Sequence, residues 1–178
     1  MDKKLENEIR QKIREIADWP KHGISFKDIT PLLEDKLLFA KVIDELARPY
    51  LKKKIDKVVG IDARGFLLAS VLAYKLKAGI AIIRKKGKLP SKTISRQYAL
   101  EYGSNTIEMH QDSILSGEKV FLVDDVLATG GTMQAAVNLV KELNGKIAGI
   151  DFLIELTYLN GKKKLKGQKI RSLIKYSS

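Results

Sequence analysis

The chain has 178 residues, 44% hydrophobic and 30% charged, which is enough for one sizeable core in an ordinary globular protein. It contains no cysteine, which excludes disulfides and thiolate metal sites, and its two histidines, His22 and His110, form no spaced ligand motif. The sequence has no apolar run approaching the roughly 20 residues that cross a bilayer, and no signal-peptide core, so we expect a cytoplasmic protein without membrane contact. The net charge of +12 favours an anionic partner, which could be nucleic acid, a membrane surface or a phosphorylated small molecule.

The spacing of apolar residues predicts helices and strands in alternation. An amphipathic helix is predicted over 2–17, a loop punctuated by proline and glycine over 19–33, and a second helix over 35–51. The later elements are, in chain order, strand 57–61, helix 65–76, strand 79–83, extended segments 98–102 and 106–110, strand 119–123, helix 132–143 and strand 146–156. This alternation predicts an α/β fold with a mostly parallel central sheet flanked by helices.

Two stretches hold much of the positive charge. Residues 84–96 carry six basic side chains and no acid, and the tail from Asn160 is equally one-sided. We interpret the tail as a solvated surface. The first stretch lies between a predicted strand and a loop, where contact with an anionic ligand is more plausible.

The stretch "VFLVDDVLATGGT" places two adjacent carboxylates, Asp124 and Asp125, after a buried strand and before a turn of small residues. Ligands of parallel sheets bind beyond the carboxyl ends of the strands, where these two acids and Asp62 are expected. Free N–H groups in the turn and the dipole of the following helix form a phosphate site. The turn lacks the lysine of a Walker loop, and the sequence has no G-x-G-x-x-G fingerprint. Carboxylates accept hydrogen bonds from sugar hydroxyls, so the pattern indicates a phosphorylated sugar, although Asp also favours solvated turns and helix N-caps.

The same stretch resembles the phosphoribosyl-pyrophosphate signature of the type I phosphoribosyltransferases. Further stretches resemble the adenine phosphoribosyltransferase family, namely "DWPKHGISFKDITPLL", "GIDARGF", "IRKKGKLPSKT", "YALEYG" and "FLIELTYLNGKKKL". They occur in the order of the family and span nearly the whole chain, from about Ile13 to Tyr176.

The resemblance implies a type I phosphoribosyltransferase fold, with a single domain over 1–178 to which residues 1–34 contribute a small hood that binds the base. It implies transfer of the phosphoribosyl group of 5-phosphoribosyl 1-pyrophosphate (PRPP) to N9 of adenine, which yields AMP and pyrophosphate in purine salvage. It also implies Mg²⁺ held mainly through the substrate rather than by protein ligands, and a homodimer. Nucleic acid is then an unexpected partner.

The resemblance further assigns roles to individual residues. The ribose hydroxyls are expected on Asp124 and Asp125, and the 5′-phosphate in the loop formed by Ala128, Thr129, Gly130, Gly131 and Thr132. Adenine is expected to stack on Phe26 and to be read by main-chain groups of Ser25 and Lys27.

Arg64 is expected beside the pyrophosphate as a catalytic residue, with a non-proline cis peptide in the flanking backbone. Further pyrophosphate contacts, partly supplied across the dimer interface, are expected from Arg84, Lys85 and Lys88. Glu101, on a mobile flap, is the expected catalytic proton acceptor.

Two positions depart from the family pattern, because His22 stands where proline is common and Asp62 where glutamate is common. Simpler interpretations of the site residues are a core aromatic for Phe26, an ion pair for Arg64 with Asp62 or another acid, surface charge for Arg84 to Lys88, and an ordinary exposed acid for Glu101. Two alternative functions remain open at this point: a phosphoribosyltransferase directed at xanthine or orotate, and a regulatory protein that binds PRPP and uses its basic surface on RNA or DNA.

Overall fold

The computed structural model describes residues 1–99 and 103–177, and the chain divides into two compact units, Met1–Arg48 and Pro49–Ser178. The first unit contains three helices and a two-stranded antiparallel sheet: α1 (Lys3–Lys12), β1 (Arg14–Ile16), β2 (Phe26–Asp28), α2 (Thr30–Glu34) and α3 (Lys36–Ala47). Acidic side chains cap two of the helices. The Asp2 carboxylate accepts a hydrogen bond from the N–H of Lys4, and the Asp35 carboxylate accepts from the N–H groups of Leu37 and Leu38.

The structure corrects the prediction for the N-terminal region. The predicted helix over 2–17 ends at Lys12, because Ile13 is extended (φ −79°, ψ 118°) and residues 14–16 form a strand. The segment 19–33, predicted as loop, contains β2 and α2. Apolar spacing could not separate these outcomes, since β1 is stabilised by pairing with β2, which lies about ten residues further along the chain.

The second unit is built on a seven-stranded sheet in the order β5-β6-β4-β3-β7-β8-β9. Its strands are β3 (Lys57–Ile61), β4 (Gly79–Lys85), β5 (Thr93–Ala99), β6 (Ser104–His110), β7 (Lys119–Leu127), β8 (Lys146–Leu156) and β9 (Ile170–Tyr176). The five neighbouring strands β4, β3, β7, β8 and β9 are parallel. At one edge of the sheet, β6 is antiparallel to β4 and β5 is antiparallel to β6. The predicted mostly parallel α/β fold is confirmed.

Two helices flank this sheet, α4 (Arg64–Leu76) and α5 (Gly131–Glu142), and 3₁₀ turns cover Arg48–Tyr50, Thr157–Leu159 and Gly161–Leu165. The central strands bury continuous apolar runs, as expected for a parallel sheet covered on both faces. In β7, for example, residues 120–123 are fully buried. The core therefore fixes the position of β7, the strand that carries Asp124 and Asp125, which we call the twin acids.

Two further corrections concern strands near the C-terminus. Strand β7 does not end at residue 123 but continues to Leu127, because its pairing with β8 extends as far as Glu155. The tail is not wholly a solvated surface, since β9 pairs with β8 and buries Leu173 and Ile174. The flanking lysines concealed this short apolar strand, which gains its stability from a neighbouring strand rather than from local sequence.

The remaining boundaries differ by a few residues from those predicted. Strand β5 begins at Thr93, within the stretch that was predicted as a basic loop, and α3 gives way at Arg48 to a 3₁₀ turn. Among the described residues, none of the helices is both long enough and apolar enough to span a bilayer.

Candidate active site

The twin acids lie near the carboxyl end of β7. Asp125 is 6% exposed, and the Nε of Arg64, the first residue of α4, lies 2.7 Å from its Oδ2. Asp124 is partly exposed, and its Oδ1 accepts a hydrogen bond of 3.0 Å from the backbone N–H of Asp125. A Cβ atom at Gly65 would lie 2.7 Å from that same oxygen, so only glycine allows α4 to approach the acids this closely. Arg64 thus forms an ion pair, as its simpler interpretation expects, and its partner is Asp125.

The two acids are held in an unfavourable environment. Burial raises the pKa of Asp124 well above its ordinary value, and the neighbouring charge of Asp125 raises it further. Burial also raises the pKa of Asp125, and the guanidinium of Arg64 offsets only part of that effect. Raised pKa values of this kind mark the pair as a candidate functional site rather than as a source of stability.

The loop of small residues joins β7 to α5. Gly130 has φ 77°, in the left-handed region that favours glycine, and it occupies the N-cap of α5 without a side-chain hydrogen bond to the helix. The first N–H groups of α5 are consequently not capped by that residue, and they lie at the positive end of the helix dipole.

A small pocket lies between Asp124 and this loop. It is lined by one acid, the loop, the start of α5 and the strands below, namely Asp124, Val126, Leu127, Ala128, Thr129, Gly130, Thr132, Met133 and Phe152. Of the residues predicted for ribose and 5′-phosphate, Asp124, Ala128, Thr129, Gly130 and Thr132 line this one cavity. Asp125 and Gly131 are buried, and each is the sequence neighbour of a residue that lines the cavity. A carboxylate and a helix N-terminus facing one cavity can receive hydroxyls and an anion together.

Gly161 packs closely against the loop of residues 128–132, a contact that the sequence did not predict. A Cβ atom at Gly161 would lie 2.2 Å from the carbonyl oxygen of Ala128, and one at Gly130 would lie 2.3 Å from the carbonyl oxygen of Gly161. The next residue, Lys162, places its Nζ 2.7 Å from the carboxylate of Glu155, which is buried on β8. The only signal was the glycine within "YLNGKKKL", and the surrounding lysines suggested plain surface.

Two acids, Asp62 and Glu108, form hydrogen bonds that hold part of the basic stretch of residues 84–96 in place. The Nε of Arg84 donates to Asp62 over 3.0 Å and its terminal nitrogen donates to the carbonyl of Lys88, also over 3.0 Å. Glu108, buried on β6, accepts hydrogen bonds from the backbone N–H groups of Lys88 (3.0 Å) and Leu89 (2.9 Å). Burial alone would raise the pKa of Glu108, but these backbone donors outweigh it and the pKa lies below its ordinary value.

These contacts bring Arg84 and Lys88 together, while Lys85 is exposed at the end of β4. The peptide bond between Asp62 and Ala63 is cis, of the kind that the resemblance implies beside Arg64. Glu108 is a second residue that the sequence reading missed, because an isolated acid in a strand shows no sign of the loop that it binds.

The residues predicted to bind the base belong to the first unit. Phe26 is partly exposed and meets Trp19 edge to face, with 4.3 Å between ring centroids. Lys27 is buried, and its Nζ contacts Glu15 at 2.6 Å and the hydroxyl of Ser25 at 3.1 Å. Phe26 therefore packs against one aromatic ring and keeps part of its surface accessible.

The predicted proton acceptor, Glu101, lies outside the described residues. Within the described part of the chain, there is no group of three or more His, Asp or Glu side chains that could hold a metal ion. A metal that needs few protein ligands fits such a site better than one that needs a full protein cage.

Comparison with known proteins identifies the fold and the chemistry. The family model for the phosphoribosyl transferase domain matches residues 32–173. The adenine phosphoribosyltransferase of Geobacter metallireducens is 54% identical over 170 residues, covering 96% of this chain and 99% of its own. The chain belongs to the adenine phosphoribosyltransferase family.

Solved structures agree with this assignment. The adenine phosphoribosyltransferase of Thermoanaerobacter pseudethanolicus superposes with a TM-score of 0.93 at 50% identity, covering 96% of this chain and 99% of its own. That of Saccharomyces cerevisiae, in complex with an imino-altritol bisphosphate and adenine, has a TM-score of 0.91 at 35% identity, covering 97% and 99%. The predicted family, fold class, enzyme class and activity on adenine are confirmed, in preference to the xanthine or orotate alternatives.

The raised pKa of Asp124 predicts that this site reduces stability. Because the folded-state pKa lies above the ordinary value of 3.8, stability is full below about pH 4 and is lost as the pH rises through the raised pKa. The change Asp124→Asn removes the titration and keeps an oxygen for the Asp125 N–H. We expect the variant to be more stable than the parent at pH 7, by about 1 kcal/mol. Urea unfolding measured between pH 4 and 8 tests this.

The control for that experiment is Asp112→Asn, which removes an exposed carboxylate with the same change in charge. It should leave the pH dependence of stability unchanged. An Asp124→Asn protein that unfolds more readily than the parent at pH 7 would contradict the account of the twin acids.

Proposed function

We propose that the chain converts adenine and PRPP into AMP and pyrophosphate in the pocket between the twin acids and the loop of residues 128–132. The observation that carries this proposal is that Asp124 and the uncapped start of α5 face the same cavity. A sugar phosphate needs both features at once, hydroxyl acceptors and an anion site.

The twin acids have two functions in this proposal. They accept hydrogen bonds from the vicinal ribose hydroxyls, and their negative charge favours an oxocarbenium-like ribose, in which the bond to pyrophosphate breaks ahead of bond formation to adenine. Arg64 fixes Asp125 at 2.7 Å, so the acid is oriented before substrate arrives. The 5′-phosphate lies on the N–H groups of the loop and the first turn of α5.

The leaving pyrophosphate is assigned to the basic residues around Asp62, that is Arg64, Arg84, Lys85 and Lys88. Arg84 is held by Asp62, and the Lys88 backbone by Glu108, so both start from fixed positions. Mg²⁺ would be held mainly by oxygens of PRPP, because the described residues include no group of three or more carboxylate or imidazole side chains that could bind it. When bound, it neutralises charge on the pyrophosphate.

Phe26 is assigned to adenine, with main-chain groups of Ser25 and Lys27 as the hydrogen-bonding partners of the base. Support comes from its partly exposed ring, from the ion pair of 2.6 Å that holds Lys27 to Glu15, and from the adenine complex of the yeast relative. A 6-oxopurine presents the opposite donor and acceptor pattern and would leave buried groups unpaired, which is a strong basis for rejection. Glu101 is retained as the proposed acceptor of the N9 proton, and residues 1–34 as the proposed base-binding hood.

A cytoplasmic homodimer completes the proposal. Helix α4 carries a stripe of exposed apolar side chains on one face, Leu67 (50%), Val71 (36%) and Tyr74 (88%). Their spacing of four and three residues makes the stripe continuous along the helix. Exposed apolar surface of this kind is typical of a protein interface, and a second copy of the chain is the partner that we assign to it.

The activity is tested by a panel of bases. The enzyme is incubated with PRPP, Mg²⁺ and, in turn, adenine, hypoxanthine, guanine, xanthine and orotate, and release of pyrophosphate is measured. We expect turnover with adenine and a rate lower by about 10⁴-fold or more with the 6-oxopurines. Asp125→Asn should lower kcat/KM for adenine by about 100-fold, because it removes one charge that favours the transition state. Turnover with hypoxanthine but not adenine would overturn the assignment.

The contact of Gly161 with the loop predicts a second effect on catalysis. Gly161→Ala places a methyl group against the carbonyl of Ala128 and displaces the loop, so kcat/KM for PRPP should fall by about 100-fold. Lys163→Ala, an exposed change in the same 3₁₀ turn, serves as the control and should leave kcat/KM unchanged. Steady-state kinetics at varied PRPP measure both. Full activity of Gly161→Ala would show that the loop tolerates displacement.

The apolar stripe predicts the oligomeric state. Val71→Glu places a charge at its centre, and sedimentation should then shift from dimer to monomer at micromolar protein concentration. Leu37→Glu, the same kind of change at an exposed apolar position of α3, controls for the added acid. A protein that remains dimeric with Val71→Glu would exclude this helix as the interface.

A further inference from the structure

A basic depression lies at the end of the central sheet opposite the twin acids. The acids are near the carboxyl end of β7, whereas Lys119 and Lys146 are the first residues of β7 and β8, and Lys169 immediately precedes β9. We call this basic depression the lysine depression; its lining residues are Lys52, Lys53, Lys54, Ile55, Lys119, Lys146, Ile147, Ala148 and Lys169.

The lysines are placed where they repel one another. Lys119 and Lys146 are register partners on adjacent parallel strands, which lie about 4.8 Å apart. Like charges in neighbouring cross-strand positions are destabilising. This repulsion lowers the stability of the folded protein at this end of the sheet, as the burial of the twin acids does at the other end.

Few acids of the protein compensate this charge. Lys54 pairs with Asp56 at 3.1 Å, and the Nζ of Lys53 lies 5.3 Å from the ring centroid of Tyr50. Across residues 1–99 and 103–177, no ion pair is formed by Lys52, Lys119, Lys146 or Lys169. The side chains of all four are exposed and able to turn towards a ligand.

The buried acid that interacts electrostatically with Lys53 already accepts hydrogen bonds from other side chains. Asp151 accepts a hydrogen bond of 3.0 Å from the hydroxyl of Tyr50 and another of 2.9 Å from the Nε of Arg171. The other oxygen of Asp56 accepts from the backbone N–H of Lys119 rather than from its ammonium group. The ammonium groups of Lys54 and Lys119 also attract Asp56, and that of Lys53 attracts Asp151, so the lining lysines that do not act on these two acids are Lys52, Lys146 and Lys169.

The shape and chemistry of the depression select the kind of anion. Its lining combines six lysines with three apolar residues, of which Ile55 is buried and Ile147 and Ala148 are partly buried. No aromatic side chain lines it, so it lacks the stacking platform on which single-stranded nucleic acids bind. Ammonium groups bind phosphate as point charges and do not need the planar geometry that arginine requires.

We propose that the lysine depression binds a compact polyphosphate anion, meaning a small molecule with three or more linked phosphate groups. Several ammonium groups around one concave surface match several charges close together, whereas a single phosphate would engage only some of the ammonium groups. The site is distinct from the pocket of the twin acids, because the two lie at opposite ends of β7 and β8.

The test uses inorganic tripolyphosphate as the probe, in isothermal titration calorimetry at about 0.15 M salt. The depression variant carries Lys52→Gln, Lys146→Gln and Lys169→Gln, three changes at exposed side chains. The matched control carries Lys3→Gln, Lys4→Gln and Lys36→Gln, which are exposed in the first unit and remove the same charge. We expect the parent and the control to bind alike and the depression variant to bind more weakly by about tenfold or more.

Kinetics separate this site from the catalytic one. Tripolyphosphate that binds in place of PRPP should inhibit turnover with one inhibition constant in all three proteins, and KM for PRPP should also be unchanged. A second variant, Lys146→Glu alone, should weaken tripolyphosphate binding in the calorimeter without affecting those constants.

Two results would overturn the proposal. One is equal tripolyphosphate affinity in the depression variant and the matched control, which would reduce the effect to net charge. The other is binding of a single-stranded RNA of about 20 nucleotides through these lysines when tripolyphosphate does not bind, which would assign the surface to an extended nucleic acid.

Discussion

The ion pair between Arg64 and Asp125 links the two elements that border the proposed active site, α4 and β7. It joins the first residue of α4 to β7 at 2.7 Å and partly offsets the burial of two adjacent carboxylates. The approach is possible because two glycines leave room for the helix. A Cβ atom at Gly60 would lie 2.7 Å from the carbonyl of Gly65, and one at Gly65 would lie 2.7 Å from Asp124. At Gly60 the nearby atom belongs to the backbone of α4, so a larger residue there would move the helix away from the strand.

The loops around the pocket are held in place mainly by backbone contacts and by buried acids, rather than by the residues proposed to contact substrate. Glu108 holds the basic loop through its N–H groups, and the contact between Gly130 and Gly161 sets the rear of the phosphate loop. Buried Glu155 in turn fixes the segment that contains Gly161, through Lys162. Such an arrangement orients donors before binding, so that binding free energy is not consumed in ordering them.

The polarity of a parallel sheet also separates two opposite charges. Carboxylates collect near the carboxyl end of β7, where a helix N-terminus offers N–H donors, and lysines collect where β7, β8 and β9 begin. Each group is unfavourable for the folded protein alone, because like charges lie side by side. The two proposed sites therefore lie at opposite ends of the sheet, one for a sugar phosphate and one for a polyphosphate anion.

The sequence by itself determined the elements and motifs whose signal is local. Strands 57–61 and 146–156 were predicted to the residue, because each is rich in Val, Ile and Leu and begins at a lysine that follows polar residues or glycine. The twin acids and the loop were equally visible, since all their residues are neighbours in the chain. Only the tertiary structure decided the pairing of β1 with β2, the buried strand β9, and the supporting positions of Glu108 and Gly161. Those features depend on contacts between residues far apart in sequence, and neither spacing nor composition records which distant segment will supply the partner.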